Sequence, residues 1–490
     1  MNNSFSIGIV GSGTSGLVSA LMLRQAFPSM QITILSSPLV PIVGVGEGST
    51  EHWKWFMSQC EIPLHGLLTE TAATHKYGIR FENWSVKNPD YFHSVSGDES
   101  LFAWNHFPMY AGFIEKNKML TTAVITSGLT ENKIRRTGLH ENTNQYHFDT
   151  FKLNDFFKKL CFQRMIRIIE ADVKDIEIDN ESGNITSVTL PDDSTFEADF
   201  WIDATGFKRL LMQKIGSDKW NSFSKFLLTD SAVAFQTESD PNGEIRPYTR
   251  ARAASSGWIW EIPTQERRGN GYVFSSQFIS KDQAVDELHQ VSGYQPESFR
   301  DFKYDAGYLE KPWVKNCCAI GLSSAFVEPL EATSIGTTIQ QMKLLISNLC
   351  SYTENSHYMQ NFYNKKVSLM MDNVLTMIRL HYISDRKDTP FWRAMSEMPL
   401  NESLQELVDL WSERLPIRED VNSVNNELFH PAHFIHVAQG QNILNRNSAT
   451  IMIERFNLRS QVVGLTSSAT LGRFNHELVD HAQSLKDLYG

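Results

Sequence analysis

The chain has 490 residues, 41% of them hydrophobic, and a formal net charge of −11 with no block of like charges. That length is enough for a large core in two modules, and the acidic balance argues against nucleic acid and against an anionic membrane surface. Five cysteines without C-x-x-C spacing argue against a disulfide framework or zinc site, and no run approaches the roughly eighteen apolar residues of a membrane span.

In chain order, Phe5 to Val10 is strand-like from the outset, which leaves no room for a signal peptide and predicts a cytoplasmic protein. A glycine turn follows, Gly11-Ser12-Gly13-Thr14-Ser15-Gly16, then a helix from Leu17 to Phe27 and a second strand from Gln31 to Leu35. This G-x-G-x-x-G between strand and helix is a dinucleotide fingerprint: the glycines allow a tight turn and close backbone approach, and the helix N-terminus faces a pyrophosphate. Ser36 or Ser37 stands where an acidic ribose ligand is usual.

From Thr74 to Trp84 the pattern is an amphipathic strand, with Tyr77, Ile79 and Phe81 on one side and Lys76, Arg80 and Glu82 on the other. By itself this is an ordinary solvated charged face. Val173 to Ile202 alternates strand-like runs with turn clusters at Asn180–Asn184 and Pro191–Ser194, a β-meander pattern. In Trp258-Ile259-Trp260-Glu261-Ile262-Pro263, period-2 spacing puts two indoles on one face of a strand. Glu328 and Glu331, three residues apart, read as an exposed pair at a helix start. Beyond residue 340, the segments Gln340–Cys350, Met359–Leu380 and Ser403–Leu415 carry helical spacing. His430, His433 and His436 could be surface, packing, pocket-lining or metal-binding residues, but steps of three drift around a helix and no acidic ligand is spaced to help.

Taken together, these motifs resemble those of the flavin-dependent tryptophan halogenases, in which W-x-W-x-I-P follows a G-x-G-x-x-G. Further segments carry the resemblance to about residue 395. Val43 to Thr50 is similar to the loop that straps across the flavin, and Asp203-Ala204-Thr205-Gly206 to the strand end that closes FAD sites. Lys76 to Trp84 is similar to K-x-x-I-x-F-x-N-W, and Gly321 to Gly336 to G-L-S-S-x-F-x-E-P-L-E-S-T-G-I. The sets Asp230–Ala234, Gly271–Ser276, and His381-Tyr382 with Asp388–Trp392 add to it.

The resemblance implies a Rossmann-like FAD-binding module with a β-meander and a substrate sheet over residues 1–340, and a mostly helical module over 341–490 that completes the pocket. It implies FAD as FADH2 held by Gly11, Gly13, Thr14, Ser15, Gly16, Ser36, Val45, Gly46, Glu47, Gly48, Asp203, Gly206 and Gly321. Chloride or bromide falls to Thr333 and Ser334, where serine replaces the family's glycine. Lys76 and Glu331 become catalytic, the lysine hydrogen-bonding hypohalous acid or forming a chloramine, the glutamate serving as general base. Trp258 and Trp260 become a barrier between flavin and substrate. Ser94 and Ser96 stand where tryptophan-specific members carry a histidine and a phenylalanine, His433 and Phe434 replace a tyrosine pair, and no tryptophan follows Trp411.

The expectation is a two-component enzyme. O2 and halide yield hypohalous acid at the flavin, a separate NAD(P)H-dependent reductase supplies FADH2, and the substrate is an electron-rich arene of indole or phenol type rather than free tryptophan. No metal is expected, and a homo-oligomer is compatible with the sequence. A flavin monooxygenase and a non-catalytic FAD-binding protein are the alternatives.

Overall fold

The computed structural model describes residues 5–42, 44, 48–94, 107–116, 132–135, 145–239, 243–293, 299–353, 356–421, 427–465 and 478–489. The α/β chain condenses into two compact units, each assembled from three separated stretches. One comprises Met1–Thr71, Phe148–Phe223 and Asp305–Met371, the other Ala72–His147, Ser224–Tyr304 and Asp372–Gly490. The boundary expected at residue 340 is therefore replaced. Strand pairing between distant stretches defines the units, and the division at Met371 falls inside the helix His357–His381. Among the described residues, no helix is long and apolar enough to cross a membrane, and all five cysteines are free thiols.

In the first unit the strand Ser6–Val10 lies between Gln31–Ser36 and Phe200–Asp203, all parallel. Arg167–Glu170 and Cys317–Ala319 extend the sheet in parallel, and Trp313–Val314 closes one edge antiparallel. Ile7, Ile9, Ile32, Ile34, Phe200 and Ile202 are all buried, the near-continuous apolar content of a parallel sheet covered on both faces. The helix Thr14–Ala26 begins three residues before the first apolar repeat, because the chain leaves the turn at an extended Gly13 and enters helix at once. Asp175–Ile178, Ile185–Thr189 and Thr195–Glu197 form the antiparallel meander. Trp201 ties it to the main sheet by donating its indole N–H to the Ile185 carbonyl at 3.1 Å.

The second unit is built on a seven-stranded sheet in the order Arg300–Lys303, Ser231–Glu238, Arg267–Phe274, Gly257–Pro263, Thr249–Ala253, Gly78–Glu82, Asp90–Ser94. All neighbours are antiparallel except Thr249–Ala253 beside Gly78–Glu82. Register decides what each face carries, since side chains alternate along every strand. Trp258, opposite Ala253 and Val273, and Trp260, opposite Ala251 and Gly271, share a face with Phe81, Tyr91 and His93. Ile259, Tyr272, Val233 and Phe235 occupy the other, where the helix Lys281–Ser292 packs through Ala284 and Leu288. Ser280 and Gln283 close a capping box at that helix's start, and Gly293 at φ +74° ends it.

Candidate functional site

The glycine turn of the first unit is shaped by close backbone approach. Gly11 has φ +112°, and a Cβ there would lie 2.3 Å from the Ala204 carbonyl oxygen; at Gly16 it would lie 2.0 Å from the Gly11 oxygen. At Gly13, by contrast, a Cβ would meet nothing within 4 Å, and Gly13 gives the following helix no side-chain cap. Uncapped N–H groups beside open space fit a pyrophosphate. Ser36 Oγ lies 2.6 Å from Ser12 Oγ. Ser15 Oγ lies 3.2 Å from Thr338 Oγ1, and Gly321, at φ +66°, backs so closely onto Ser15 that a Cβ would come within 2.1 Å of its Oγ. Gly48 is buried, Gly206 has φ +67° with open space beside it, and Val45, Gly46 and Glu47 lie outside the described residues.

Asp203 is saturated by protein donors. One carboxylate oxygen accepts from the Thr205 amide and hydroxyl and from Ser323 Oγ, the other from the Leu211 and Met212 amides. It therefore braces the turn that carries Gly206. Sequence reasoning gave no role to Ser323, although it lies within the Gly321–Gly336 motif, or to Asn154, which sits in no recognisable local pattern and whose side-chain amide donates to the Ser12 carbonyl at 3.3 Å.

Glu328 and Glu331 are both buried, which removes the reading of an exposed pair. Glu331 (φ 67°, ψ 7°) and Ala332 (φ 54°, ψ 42°) are consecutive left-handed residues without a glycine. Each costs on the order of 1–3 kcal/mol, strain of a kind that clusters at functional sites. The kink delivers the chain into the helix Thr333–Leu349, which also lacks a side-chain cap. Thr333 is buried there, and the Ser334 carbonyl accepts from the hydroxyls of Thr337 and Thr338.

In the second unit the amphipathic strand around Lys76 is interrupted. Thr74–Lys76 pairs with Gln145–His147, while Gly78–Glu82 joins the large sheet. Gly78 makes the break possible, since a Cβ there would lie 2.3 Å from the His93 carbonyl oxygen. Lys76 is 1% exposed, so its segment is not a solvated face. One histidine, His75, lies on its strand and two, His147 and His481, lie beside it. Burial, then the Lys76 charge and His481, hold His147 well below its usual pKa. Its ring nitrogens contact the hydroxyls of Thr74 at 3.2 Å and Thr249 at 2.9 Å. Burial pushes His75 down to about 4; burial and then His75 push His481 down to about 3, against the opposing bond to the Ile245 carbonyl.

Trp258 and Trp260 are both buried, with ring centroids 6.0 Å apart at 54°. Trp260 lies over Gly271, where a Cβ would come within 2.1 Å of its ring. Trp258 continues to Trp84 at 6.3 Å, and Trp84 to Tyr382 and Trp392.

Ser94 is buried beside Gly78, and Ser96 lies outside the described residues. The informative position is one residue earlier. His93 shares the tryptophan face, and its Nε2 lies 2.8 Å from Nδ1 of His433 on the buried helix Pro431–Gly440. His436 sits 6.0 Å from the same ring, Phe434 is fully buried, and His430 caps the helix by accepting from the Ala432 amide. His381 completes the cluster, stacked on Phe81 at 4.5 Å and hydrogen-bonded to the Tyr91 hydroxyl at 2.9 Å. Ser94, the neighbouring residue, alternates to the opposite side of the strand from His93.

The reverse face holds a cavity of about 920 Å³ lined by Arg80, Arg246, Arg250, Arg252 and Arg386. Its charges are paired: Glu82 receives two bonds from Arg250 and one from Arg252, Arg80 bonds Asp90, and Arg386 bonds Asp388.

A tryptophan halogenase family profile matches residues 6–455. Tryptophan 7-halogenase RebH of Lentzea aerocolonigenes is 31% identical over 433 residues, covering 82% of this chain and 81% of its own. Among solved structures, BrvH, a flavin-dependent halogenase from Brevundimonas sp. BAL3, is 28% identical with a TM-score of 0.82, covering 99% of both chains. A tryptophan halogenase from Shewanella frigidimarina is similar in fold, at TM-score 0.88 and 24% identity over 99% of this chain and 98% of that one.

Proposed function

The chain belongs to the tryptophan halogenase family and is a flavin-dependent halogenase, and from that premise we propose that it halogenates an electron-rich arene of indole or phenol type through Lys76 and Glu331. FADH2, delivered by a separate NAD(P)H-dependent reductase, supplies with O2 the oxidant that converts chloride or bromide to hypohalous acid. The observation that carries the reading is Lys76, a lysine 1% exposed at the head of the family's lysine motif.

Gly11, Gly13 and Gly16, with the uncapped start of the helix Thr14–Ala26, are suited to the pyrophosphate; Asp203 is a positioning residue for the Gly206 turn. The uncapped amides at Thr333 and Ser334 are assigned to halide. Lys76 receives the oxidised halogen, and Glu331 takes the proton that the ring loses, a role worth about 10²–10⁴ in rate. Trp258 and Trp260 are assigned the barrier role. His93, His433 and Phe434 bear on the arene. Trp411 is buried and donates its indole N–H to Asp420, so it is not a free plate for an indole, and no tryptophan follows it. This favours substrates other than free tryptophan.

The test supplies reduced flavin from a reductase, with chloride or bromide, to a panel of tryptophan, indole and substituted phenols. Halogenated indole or phenol from the wild type, and none from Lys76→Ala with flavin oxidation retained, is the expected result. Hydroxylated product without halogen, or full halogenation by Lys76→Ala, overturns it.

A further inference from the structure

The strand that carries Lys76 is paired on one side by Gln145–His147. On its other side the His75 amide N–H is accepted by His481 Nε2 at 3.2 Å, and the Tyr77 amide N–H by the Pro247 carbonyl at 2.8 Å. Lys76 lies between these two anchors. One anchor is an ordinary peptide carbonyl; the other is an imidazole that comes from the far end of the chain.

The partners fix the state of that imidazole. His481 Nδ1 lies 3.1 Å from the Ile245 carbonyl oxygen, which only accepts, while Nε2 faces an amide, which only donates. The ring must therefore be neutral, with its proton on Nδ1 and its lone pair on Nε2. A second proton would set two donors against each other at His75. The ring is fully buried. Its backbone is held as well: the His481 amide donates to the Asn132 carbonyl at 3.0 Å, the preceding strand Leu478–Asp480 pairs with Lys133–Arg135, and Asp480 caps the helix His481–Lys486.

We infer that His481 is a positioning residue for Lys76: its Nε2 replaces the carbonyl of a missing neighbouring strand and fixes the backbone from which the lysine projects. This rests on the role proposed for Lys76. Freeing that backbone lets the ammonium drift from the oxidant, and a displacement near 1 Å costs up to about 10²-fold in a positioned reaction.

Three variants of the full chain test it with reductase, halide and arene. His481→Leu removes the acceptor. His481→Asn keeps a donor near the Nδ1 position but is too short to bring an acceptor to His75. His481→Gln can place Oε1 where Nε2 stood. The Leu and Asn variants should give about 10- to 100-fold less halogenated product per reduced flavin oxidised, with flavin oxidation itself unchanged, and Gln should restore most of it. Independently of any variant, ¹⁵N-histidine spectra of the wild type at pH 7 should show His481 as the Nδ1–H tautomer.

Wild-type coupling in Leu and Asn, equal losses in all three, or an Nε2–H or charged ring overturns the inference. Lys76→Ala run alongside separates the two claims. Retained product there overturns the assignment of Lys76, whereas its loss beside an unaffected His481→Leu overturns only the positioning role.

Discussion

Replacing His75 by leucine should make the protein more resistant to acid, by an amount that grows as pH falls. Both ring nitrogens of His75 are buried without a hydrogen-bond partner among the described residues. Burial pushes the imidazole down to about 4. In the unfolded chain the same group titrates near 6.5, so between these values the unfolded state binds a proton that the folded state refuses. The stability due to the neutral ring is fully present above about pH 6.5, falls by roughly 1.4 kcal/mol per pH unit below it, and levels off near pH 4. Over that window the loss is on the order of 3 kcal/mol. Leucine has no proton to gain, and it relieves a buried unsatisfied polar group worth about 1 kcal/mol or more at any pH. Urea unfolding of wild type and His75→Leu at pH 7, 6 and 5, followed by tryptophan fluorescence, measures both parts. The gap between the two proteins should widen by roughly 2 kcal/mol from pH 7 to pH 5. A gap that stays constant across that range refutes the reasoning, because it means the folded and unfolded states titrate His75 alike.

Gly321→Ala should weaken FAD binding by tenfold or more, since the new methyl would meet Ser15 Oγ at 2.1 Å and the backbone sits at φ +66°; a flavin-fluorescence titration with wild-type affinity counts against this account. Gly271→Ala should lower the unfolding free energy by about 1–3 kcal/mol through overpacking against Trp260, whose ring lies where the methyl would be; an unchanged melting temperature contradicts it. Glu82→Gln should cost roughly 3 kcal/mol, because Arg250 and Arg252 lose their shared carboxylate. The Arg250 and Arg252 contacts hold the Glu82 carboxyl below its usual range against burial, so the wild type should lose this contribution as pH falls through that lowered value, and the variant should show a shallower acid limb in the same urea series.

What the sequence made legible was local. Three glycines between an apolar strand and a helical repeat specify the nucleotide turn, and the turn clusters around Gly183 and Asp193 specify the meander, because in both cases the constraint lies within a few residues. The unit boundary was not legible. Gly78–Glu82 lies parallel to Thr249–Ala253, and nothing near either segment encodes that partnership. Lys76 shows both sides of the matter. Alternation from Tyr77 to Glu82 suggested one continuous strand with the lysine in solvent, yet Gly78 lets the chain break and places Lys76 on a buried two-stranded pairing instead. The motif resemblance singled out the lysine, but His481, roughly as essential to its backbone as a strand neighbour would be, lies far along the chain in no motif at all.

The same distinction explains the tryptophan pair. Two indoles on adjacent same-face positions of a central strand need space on both neighbouring strands. Ala251 and Ala253 supply it for Trp260 and Trp258 on one side, and on the other Gly271 supplies it for Trp260, while Trp258 faces Val273. These small residues are half of the feature, although only the tryptophans stand out in the sequence. The placement of the indole pair is therefore a property of three strands, and a change at any of them moves it. The imidazole cluster beside it has a different construction. His433 and His436 come from the helix Pro431–Gly440 and meet the edge strand at His93, and the same helix also packs Gly440 against Tyr91 of that strand. An edge strand and one helix can be resized without disturbing the register that holds Trp258 and Trp260. Substitutions at His93, His433 and Phe434 should then change which arene is accepted while leaving the tryptophan register in place, at the ordinary cost of altering buried side chains, whereas substitutions at Ala251 or Gly271 should also displace the indoles. Product profiles and melting temperatures for His433→Phe and Ala251→Val measure this directly. A selective, fully stable Ala251→Val beside a His433→Phe that fails to fold would show that the division between wall and pocket is misplaced.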